Sequence, residues 1–213
     1  MLLFKFSTSS CILKRINTRL YNTFVSGNTP INDLELKWYA LRDLKRANAN
    51  QRAWEVLAEK GFEVFTPMHW KLFSNRSRRK ERIRVPVIYD LLFVHSDRES
   101  IDLEIQKTDT LQHRFVKGCG GNPMVVPDSD MQRFIDAVTN SESVRYYSPS
   151  EITSSMRGKY VHIIGGALNG YEGTLLSVRG SKVKRLIVEI PNLITASIEV
   201  DPEYIKIIEN EDK

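Results

Sequence analysis

The fold is decided by residues 84–101, which read RVPVIYDLLFVHSDRESI. The apolar run LLFV predicts the core of a strand within Arg84–Val94. Ser96–Glu99 has the spacing of a capping box, which satisfies unpaired amides where a helix begins. Ile101 and Ile105 supply an inner face for that helix. This stretch therefore predicts a strand that leads directly into a helix.

Similar signals lie on both sides of this stretch. Upstream, the patterns predict a strand at Lys37–Arg42, a helix at residues 45–60 that ends at Gly61, and a strand at Phe62–Phe65. Downstream, either His113–Lys117 or Pro123–Val126 supplies a fourth strand. Asp128 begins a last helix, whose apolar residues Met131, Phe134, Ile135 and Val138 recur at helical spacing.

The resulting order is β-α-β-β-α-β plus one helix, which is the ferredoxin-like split arrangement. It predicts an α+β domain at residues 37–140 with helices on one face of an antiparallel sheet. The other face is expected to be solvated, covered by the extra helix, or used for binding.

The C-terminal part of the chain has a different pattern. Five short β-rich runs separated by glycines predict a small β-barrel at residues 156–210: Tyr160–Ile164, Gly173–Val178, Leu186–Ile190, Ala196–Val200 and Tyr204–Ile208. Residues 141–155 are polar, show no clear periodicity, and are interpreted as a linker.

Charge is distributed unevenly along the 213 residues, whose net charge is +5. The segment Lys71–Arg84 has seven basic residues against one acid. Residues 155–213 have eight of each, which argues against a C-terminal module that binds phosphates by attraction. Residues 1–36 are interpreted as a disordered or mis-called extension, although their basic, Ser-rich start also resembles an organelle transit peptide.

No catalytic motif is visible, so the chain is not expected to be an enzyme. Its four histidines are scattered without metal-ligand spacing, and Cys11 and Cys119 are too few for a disulfide framework or zinc site. Neither a metal nor a cofactor is therefore predicted. No run of about 18 apolar residues occurs, so no membrane span is expected.

Two groups of motifs resemble the NusG family of transcription factors. Residues 161–173, VHIIGGALNGYEG, are similar to a KOW motif. The matching positions are Val161, Ile163, Gly166, Leu168, Gly170 and Gly173. Trp38–Ala40, a helix, Phe65–Pro67, a basic hairpin and the Leu91 strand resemble the NusG N-terminal (NGN) domain. Residues 85–96 and 125–128 are closest to the UpxY branch, whose members promote antitermination in capsular polysaccharide operons.

This resemblance implies an NGN domain followed by an SH3-like KOW barrel in a monomeric, cytoplasmic bacterial protein. The partner implied is RNA polymerase, whose clamp would be gripped by an apolar depression formed by Tyr39, Phe65, Pro67, Tyr89, Leu91 and Phe93. The alternative for each of these six is a simple core residue. Through the KOW domain, a ribosomal protein or a termination factor is a further expected partner.

The basic hairpin is expected to contact upstream or non-template DNA through Arg76, Arg78, Arg79, Lys80, Arg82 and Arg84. The alternative is a solvated, flexible loop. For the whole chain, the alternative function is an RNA- or ribosome-binding KOW protein. The neutral charge of the second domain weakens that alternative.

Overall fold

The computed structural model describes residues 35–46, 51–74, 80–116, 121–141, 143–178 and 180–208. In chain order, its elements are β1 (Lys37–Asp43), α1 (Ala53–Glu59), β2 (Glu63–Phe65), β3 (Met68–Ser74), β4 (Lys80–Pro86), β5 (Leu91–Ser96), α2 (Arg98–Gln106), β6 (Leu111–His113), β7 (Val125–Val126), α3 (Asp128–Thr139), β8 (Val144–Tyr147), β9 (Arg157–Ile163), β10 (Glu172–Leu176), β11 (Arg185–Ile190), β12 (Ile194–Glu199) and β13 (Ile205–Ile207). Short 3-10 turns occur at Ser154–Met156, Gly166–Leu168 and Pro202–Tyr204. The predicted α+β class is confirmed.

The first sheet is centred on the apolar strands β1 and β5, which pair antiparallel from Lys37–Ser96 to Arg42–Leu91. Its strand order is β2-β5-β1-β6, and β7 also pairs with β1. Successive residues of a strand point to opposite faces of the sheet, so each face has its own core. Helices α1 and α2 cover the face with Leu41 and Val94. Helix α3 covers the other face, where Phe93 lies.

Several predicted boundaries differ from the structure. The strand predicted within Arg84–Val94, with residues 91–94 as its core, is β5. Residues 84–86 belong instead to β4, because the chain turns after Pro86 and Asp90 pairs with arginines there. The helix expected at residues 45–60 is described only over Ala53–Glu59. Helix α2 is capped by the Asp97 carboxylate, which accepts the Ser100 amide at 2.8 Å, and Ser96 is the last residue of β5.

Both alternatives for the fourth strand are partly right. Strand β6 and strand β7 each pair with β1, and an isolated bridge between Phe115 and Pro123 joins the two segments. The chain thus leaves β1 after Arg114 and returns to it at Met124, since both residues hydrogen-bond to the Ala40 backbone. The sequence predicted one strand from either segment because each segment alone has the pattern of a short strand.

The second sheet has six antiparallel strands in the order β13-β9-β10-β11-β12-β8. Its five C-terminal strands fall at the five β-rich runs of the sequence. The sixth, β8, lies within the segment interpreted as a linker and pairs with β12 from Val144–Ile198 to Tyr147–Thr195. Its residues show little periodicity because both sides of the strand are partly buried: Val144 and Tyr146 pack on the main core, and Tyr147 packs on a smaller one.

Helix α3 packs between the two sheets. Met131, Phe134 and Ala137 are completely buried and belong to a core that also contains Phe93 of the first sheet and Ile198 of the second. The Arg133 guanidinium donates to the Glu172 carbonyl, and the Tyr171 hydroxyl donates to the Arg133 carbonyl at 3.0 Å. The two sheets therefore share one apolar core through α3.

Candidate nucleic-acid and protein interface

The described parts of the basic segment lie on β3 and β4, which form a two-stranded sheet separate from the two larger sheets. Strands β3 and β4 pair along their whole length, from Met68–Pro86 to Ser74–Lys80. Directly paired residues lie on the same face, and successive residues of a strand lie on opposite faces. One face therefore has Trp70, Leu72, Lys80, Arg82 and Arg84, and the opposite face has His69, Lys71, Phe73, Glu81 and Ile83.

The first of these surfaces is here called the Trp70 face. The Trp70 side chain is 59% exposed, and the guanidinium carbons of Arg82 and Arg84 lie 6.0 and 5.9 Å from its ring centroid. These distances are within the range of cation–π contacts. All three charges of this face are positive, because Glu81, the one acidic residue of β3 and β4, lies on the other face.

The hairpin accounts for half of the predicted nucleic-acid residues. Lys80, Arg82 and Arg84 lie on β4 and are exposed. Arg76, Arg78 and Arg79 lie outside the described residues. Sequence reasoning missed Trp70, although its position between His69 and Lys71, at the start of the basic segment, was a signal that its aromatic side chain would be exposed.

A cleft of about 500 Å³ opens at the base of the Trp70 face. Its walls come from three parts of the chain: the start of β3, the end of α3, and β8. They include Phe65, Trp70, Arg84, Thr139, Ser141 and Tyr146. Burial raises the pKa of Tyr146 to about 12, and the nearby Arg84 charge opposes this increase. The Tyr146 phenol is therefore neutral at physiological pH.

The six residues predicted for the apolar depression do not form one surface. Phe93 is completely buried and Leu91 is 2% exposed, both beneath α3, while Pro67 is also buried. Phe65 is half-buried in the same core. Tyr39 lies on the opposite face of the sheet, packed in the core with α1 and α2. Successive residues of a strand point to opposite faces of the sheet, so Tyr39 lies on a different face from Leu91 and Phe93.

Tyr89 is the one exposed residue of that predicted set, at 43%. Its loop, residues 87–90, is held by three arginines. Arg42 and Arg114 each lie 3.0 Å from the Asp90 carboxylate. Arg52 donates to the Tyr89 carbonyl, and its guanidinium carbon lies 5.8 Å from the Tyr89 ring. The loop is therefore pre-organised to present the Tyr89 side chain.

Sequence reasoning also missed Arg52, which is 7% exposed. Besides Tyr89, its guanidinium donates to the carbonyls of Lys45 and Arg46 at 3.2 and 2.6 Å. Its Nε lies 3.8 Å from Oδ2 of Asp43, a residue that is 3% exposed. The signal was the acidic Asp43 at the end of an apolar strand, because a buried carboxylate requires a partner.

The glycine-rich motif of the second sheet forms a tight turn between β9 and β10. Val161 and Ile163 are buried in the core, and Leu168 packs beneath the turn. Gly166 has φ of +65°, which other residues rarely adopt. A Cβ on Gly173 of β10 would lie 3.2 Å from the Ile187 carbonyl oxygen of β11, so β11 would have to move by a few tenths of an ångström to accept a side chain there.

The histidines make ordinary polar contacts. His95 stacks on Trp38 with centroids 5.0 Å apart and contacts Glu63 at 2.9 Å. His113 contacts Asp102 at 2.6 Å. Within the part of the chain that the structure describes, no group of three or more His, Cys, Asp or Glu residues is placed to hold a metal. None of the helices described is long and apolar enough to cross a membrane.

Comparison with known proteins gives a family match for the segment that contains the first sheet. Residues 36–135 match the family model described as "NusG: Transcription termination factor nusG". A solved structure of Thermotoga maritima NusG, from a study of its domain interaction, is 17% identical and has a TM-score of 0.41. That alignment covers 83% of this chain and 99% of the Thermotoga chain. No curated protein sequence matches this chain.

Proposed function

We propose that this chain is a transcription elongation and antitermination factor that binds RNA polymerase and suppresses pausing and termination. The observation that carries this proposal is the match of residues 36–135 to the NusG family. Such a factor works by binding, with no chemistry of its own, and holds the polymerase clamp closed. The target we propose is polysaccharide biosynthesis operons, because residues 85–96 and 125–128 resemble the UpxY branch.

Tyr89 is the proposed anchor of the polymerase interface. An exposed aromatic on a loop held by three arginines loses little entropy on binding, and a few such anchors dominate most interfaces. Phe65, Leu91 and Phe93 contribute indirectly, through the apolar core beneath α3. Tyr39 and Pro67 contribute through the stability of the domain.

Division of labour between the two sheets completes the proposal. Residues 37–140 supply the polymerase and DNA contacts, and residues 156–210 are a KOW domain that binds a ribosomal protein or termination factor. The second sheet's balanced charge favours a protein partner over nucleic acid. Residues 141–155 connect them and add β8 to the second sheet.

A reconstituted elongation assay tests the polymerase interface. The full chain should bind core polymerase and shorten pauses, and Tyr89→Ala should weaken binding by about tenfold or more, as expected for an aromatic anchor. Tyr160→Ala is the matched control, because Tyr160 is a 41% exposed tyrosine on β9 of the second sheet. Equal loss in both variants, or no binding by the wild-type chain, would contradict the proposal.

Copurification separates this function from its alternative. Polymerase subunits should be recovered with the tagged chain. Recovery of ribosomal proteins without polymerase would favour an RNA- or ribosome-binding role. Transcript read-through, mapped across the genome of a deletion strain, identifies the operons; loss of read-through outside polysaccharide genes would refute the proposed target.

A further inference from the structure

We propose that the outer edge of β13 and the groove beside it bind an extended acidic segment of a partner protein, which adds to the second sheet as a further strand. The open edge, the apolar lining of the groove and its two lysines carry this proposal together. The site uses neither the Tyr89 loop nor the basic hairpin, so it stands independently of the proposed polymerase contact.

Strand β13 forms one edge of the second sheet. Among the described strands it pairs with β9 alone. The Ile208 amide donates to the Tyr160 carbonyl of β9 at 3.2 Å. Alternate residues of an antiparallel pair direct their backbone groups toward the neighbouring strand, so the amides and carbonyls of Ile205 and Ile207 point away from β9. These groups are placed to hydrogen-bond an added strand.

An apolar groove of about 460 Å³ lies beside this edge, at the end of the β9–β10 pair opposite the glycine turn. It is here called the β13 groove, and its apolar walls are Leu175, Leu176, Pro202, Ile205 and Ile207. Ile207 is 48% exposed, and Leu175 and Ile205 are only partly buried. Every second side chain of an added strand would lie over these walls and remove them from water.

The charge of the β13 groove favours an acidic occupant. Lys159 and Lys184 line the groove, and no acidic residue does. The nearby Arg157 pairs with Glu189 at 2.8 Å, whereas neither lysine has an ion pair within the part of the chain that the structure describes. Carboxylates on both sides of the apolar residues of an added strand would complement the two lysines.

Two other occupants fit the groove less well. A second copy of this chain would bring the lysines of two basic grooves together, and like charges repel. A nucleic acid would meet two cations but no aromatic ring in the lining on which a base could stack. An extended acidic peptide with apolar residues at alternate positions satisfies the open edge, the groove and the lysines at once.

The test measures the binding of a fluorescently labelled peptide to the purified full chain by fluorescence polarisation. The acidic probe has three isoleucines alternating with threonines, and two glutamates at each end. The basic probe has lysines in place of the glutamates. The wild-type chain should bind the acidic probe about tenfold or more tightly, because each exposed ion pair contributes up to about fivefold.

Methylated probes test whether the peptide adds as a strand. Methylating the backbone nitrogens of the isoleucines removes the donors along one edge of the peptide, and methylating those of the threonines removes the donors along the other. One methylated peptide should lose binding, and the other should bind within about threefold of the acidic probe, since only one edge faces β13.

Variants of the full chain locate the site. Ile207→Thr should weaken binding about fivefold, because it removes apolar surface but keeps a β-branched side chain. Its control is Ile164→Thr, a 52% exposed isoleucine that directly follows β9 and points away from the groove. Lys159→Gln and Lys184→Gln together should weaken binding about tenfold and reduce its salt dependence. Lys206→Gln is their control, because Lys206 is exposed on the other face of β13. Both controls should stay within about twofold, and melting curves establish that each variant is folded.

Hydrogen exchange gives a direct measurement at the edge itself. In the free chain the amides of Ile205 and Ile207 should exchange rapidly, while the Lys206 amide, which faces β9, exchanges slowly. Saturation with the acidic probe should slow exchange at the first two amides about tenfold or more and leave the third unchanged.

Every other outcome overturns the proposal. Absence of binding, or equal binding of the acidic and basic probes, means that the lysines do not select an occupant. Equal effects of the two methylated peptides mean that no strand is added. Competition by a uridine 12-mer assigns the groove to RNA, and a dimer that Ile207→Thr abolishes assigns it to a second copy. If replacing Glu209, Glu211 and Asp212 by their amides tightens probe binding about tenfold, the groove belongs to this chain's own C-terminal residues. Because the test contains no polymerase, a chain that fails to bind polymerase refutes the proposed function and leaves this site intact.

Discussion

Replacing Arg52 with alanine tests whether the buried guanidinium is what holds the Tyr89 loop and the start of α1 together. The change removes donors to three carbonyls, those of Lys45, Arg46 and Tyr89, and the counter-ion of Asp43. Both charged side chains are nearly inaccessible to water, at 8% and 3% exposure. Solvent screening therefore does little to reduce the effect.

The magnitude follows from the partners that remain. Removing one member of a buried ion pair typically costs about 3–5 kcal/mol. The Asp43 carboxylate keeps two amide donors, from Lys45 at 2.9 Å and Ala53 at 3.0 Å, which places the expected loss near the lower end, about 3 kcal/mol. For a chain of this length, each kcal/mol lowers the melting temperature by about 2–4 °C, so a decrease of about 6–12 °C is expected.

The assay is urea and thermal unfolding of the full chain at pH 7. Arg42→Ala is the matched control, because Arg42 also pairs with a carboxylate at 3.0 Å but is 48% exposed. It should lose at most about 1 kcal/mol. Adding Asp43→Asn to the Arg52 variant should restore part of the stability by removing the unpaired charge. If the two arginine variants lose the same small amount, below about 1 kcal/mol, the reasoning about burial is refuted.

Three further predictions concern other elements. Gly173→Ala should destabilise the protein by about 1–3 kcal/mol, because a Cβ would press on the Ile187 carbonyl; unchanged unfolding would show that the strands can separate at no cost. Phe134→Ala should cost about 3–5 kcal/mol by leaving a cavity in the core that both sheets share, and a loss confined to one sheet's exchange-protected amides would contradict a shared core. The Ser100 amide lowers the pKa of Asp97 below its unfolded value of about 3.9. Asp97→Ala should therefore lower the free energy of unfolding by about 1 kcal/mol above that pH, and by progressively less as the pH falls through the lower folded pKa. A loss that does not change with pH would exclude this cap.

The shared core changes what is expected of fragments. Residues up to 143 include all of α3, but Phe134 and Ala137 belong to a core that contains residues of the second sheet as well. A fragment that ends near Ser143 exposes part of this core to water. It should therefore still carry the Tyr89 loop, yet melt at a lower temperature than the full chain.

Local patterns in the sequence determined most of the elements. The apolar strands near Trp38 and Leu91, the helix of Met131 and Phe134, and the five C-terminal strands all have strong periodicity, because each has one side that must leave water. The glycine turn at Gly166 was also visible, since positive φ restricts the residue type. The spacing of these motifs carried the resemblance to NusG, and the family match bears it out for residues 36–135.

Tertiary structure alone decided which side chains meet. The sequence could not show that Tyr39 and Phe93 point to opposite faces of their sheet, that α3 fills the space between two sheets, or that β8 completes the second one. Nor could it bring Trp70, Arg84 and Tyr146 to one cleft, or Arg52 to Asp43 and Tyr89. Periodicity describes the water-facing and buried sides of a single element, whereas these contacts depend on how separate elements pair and pack, which is set by the whole chain at once.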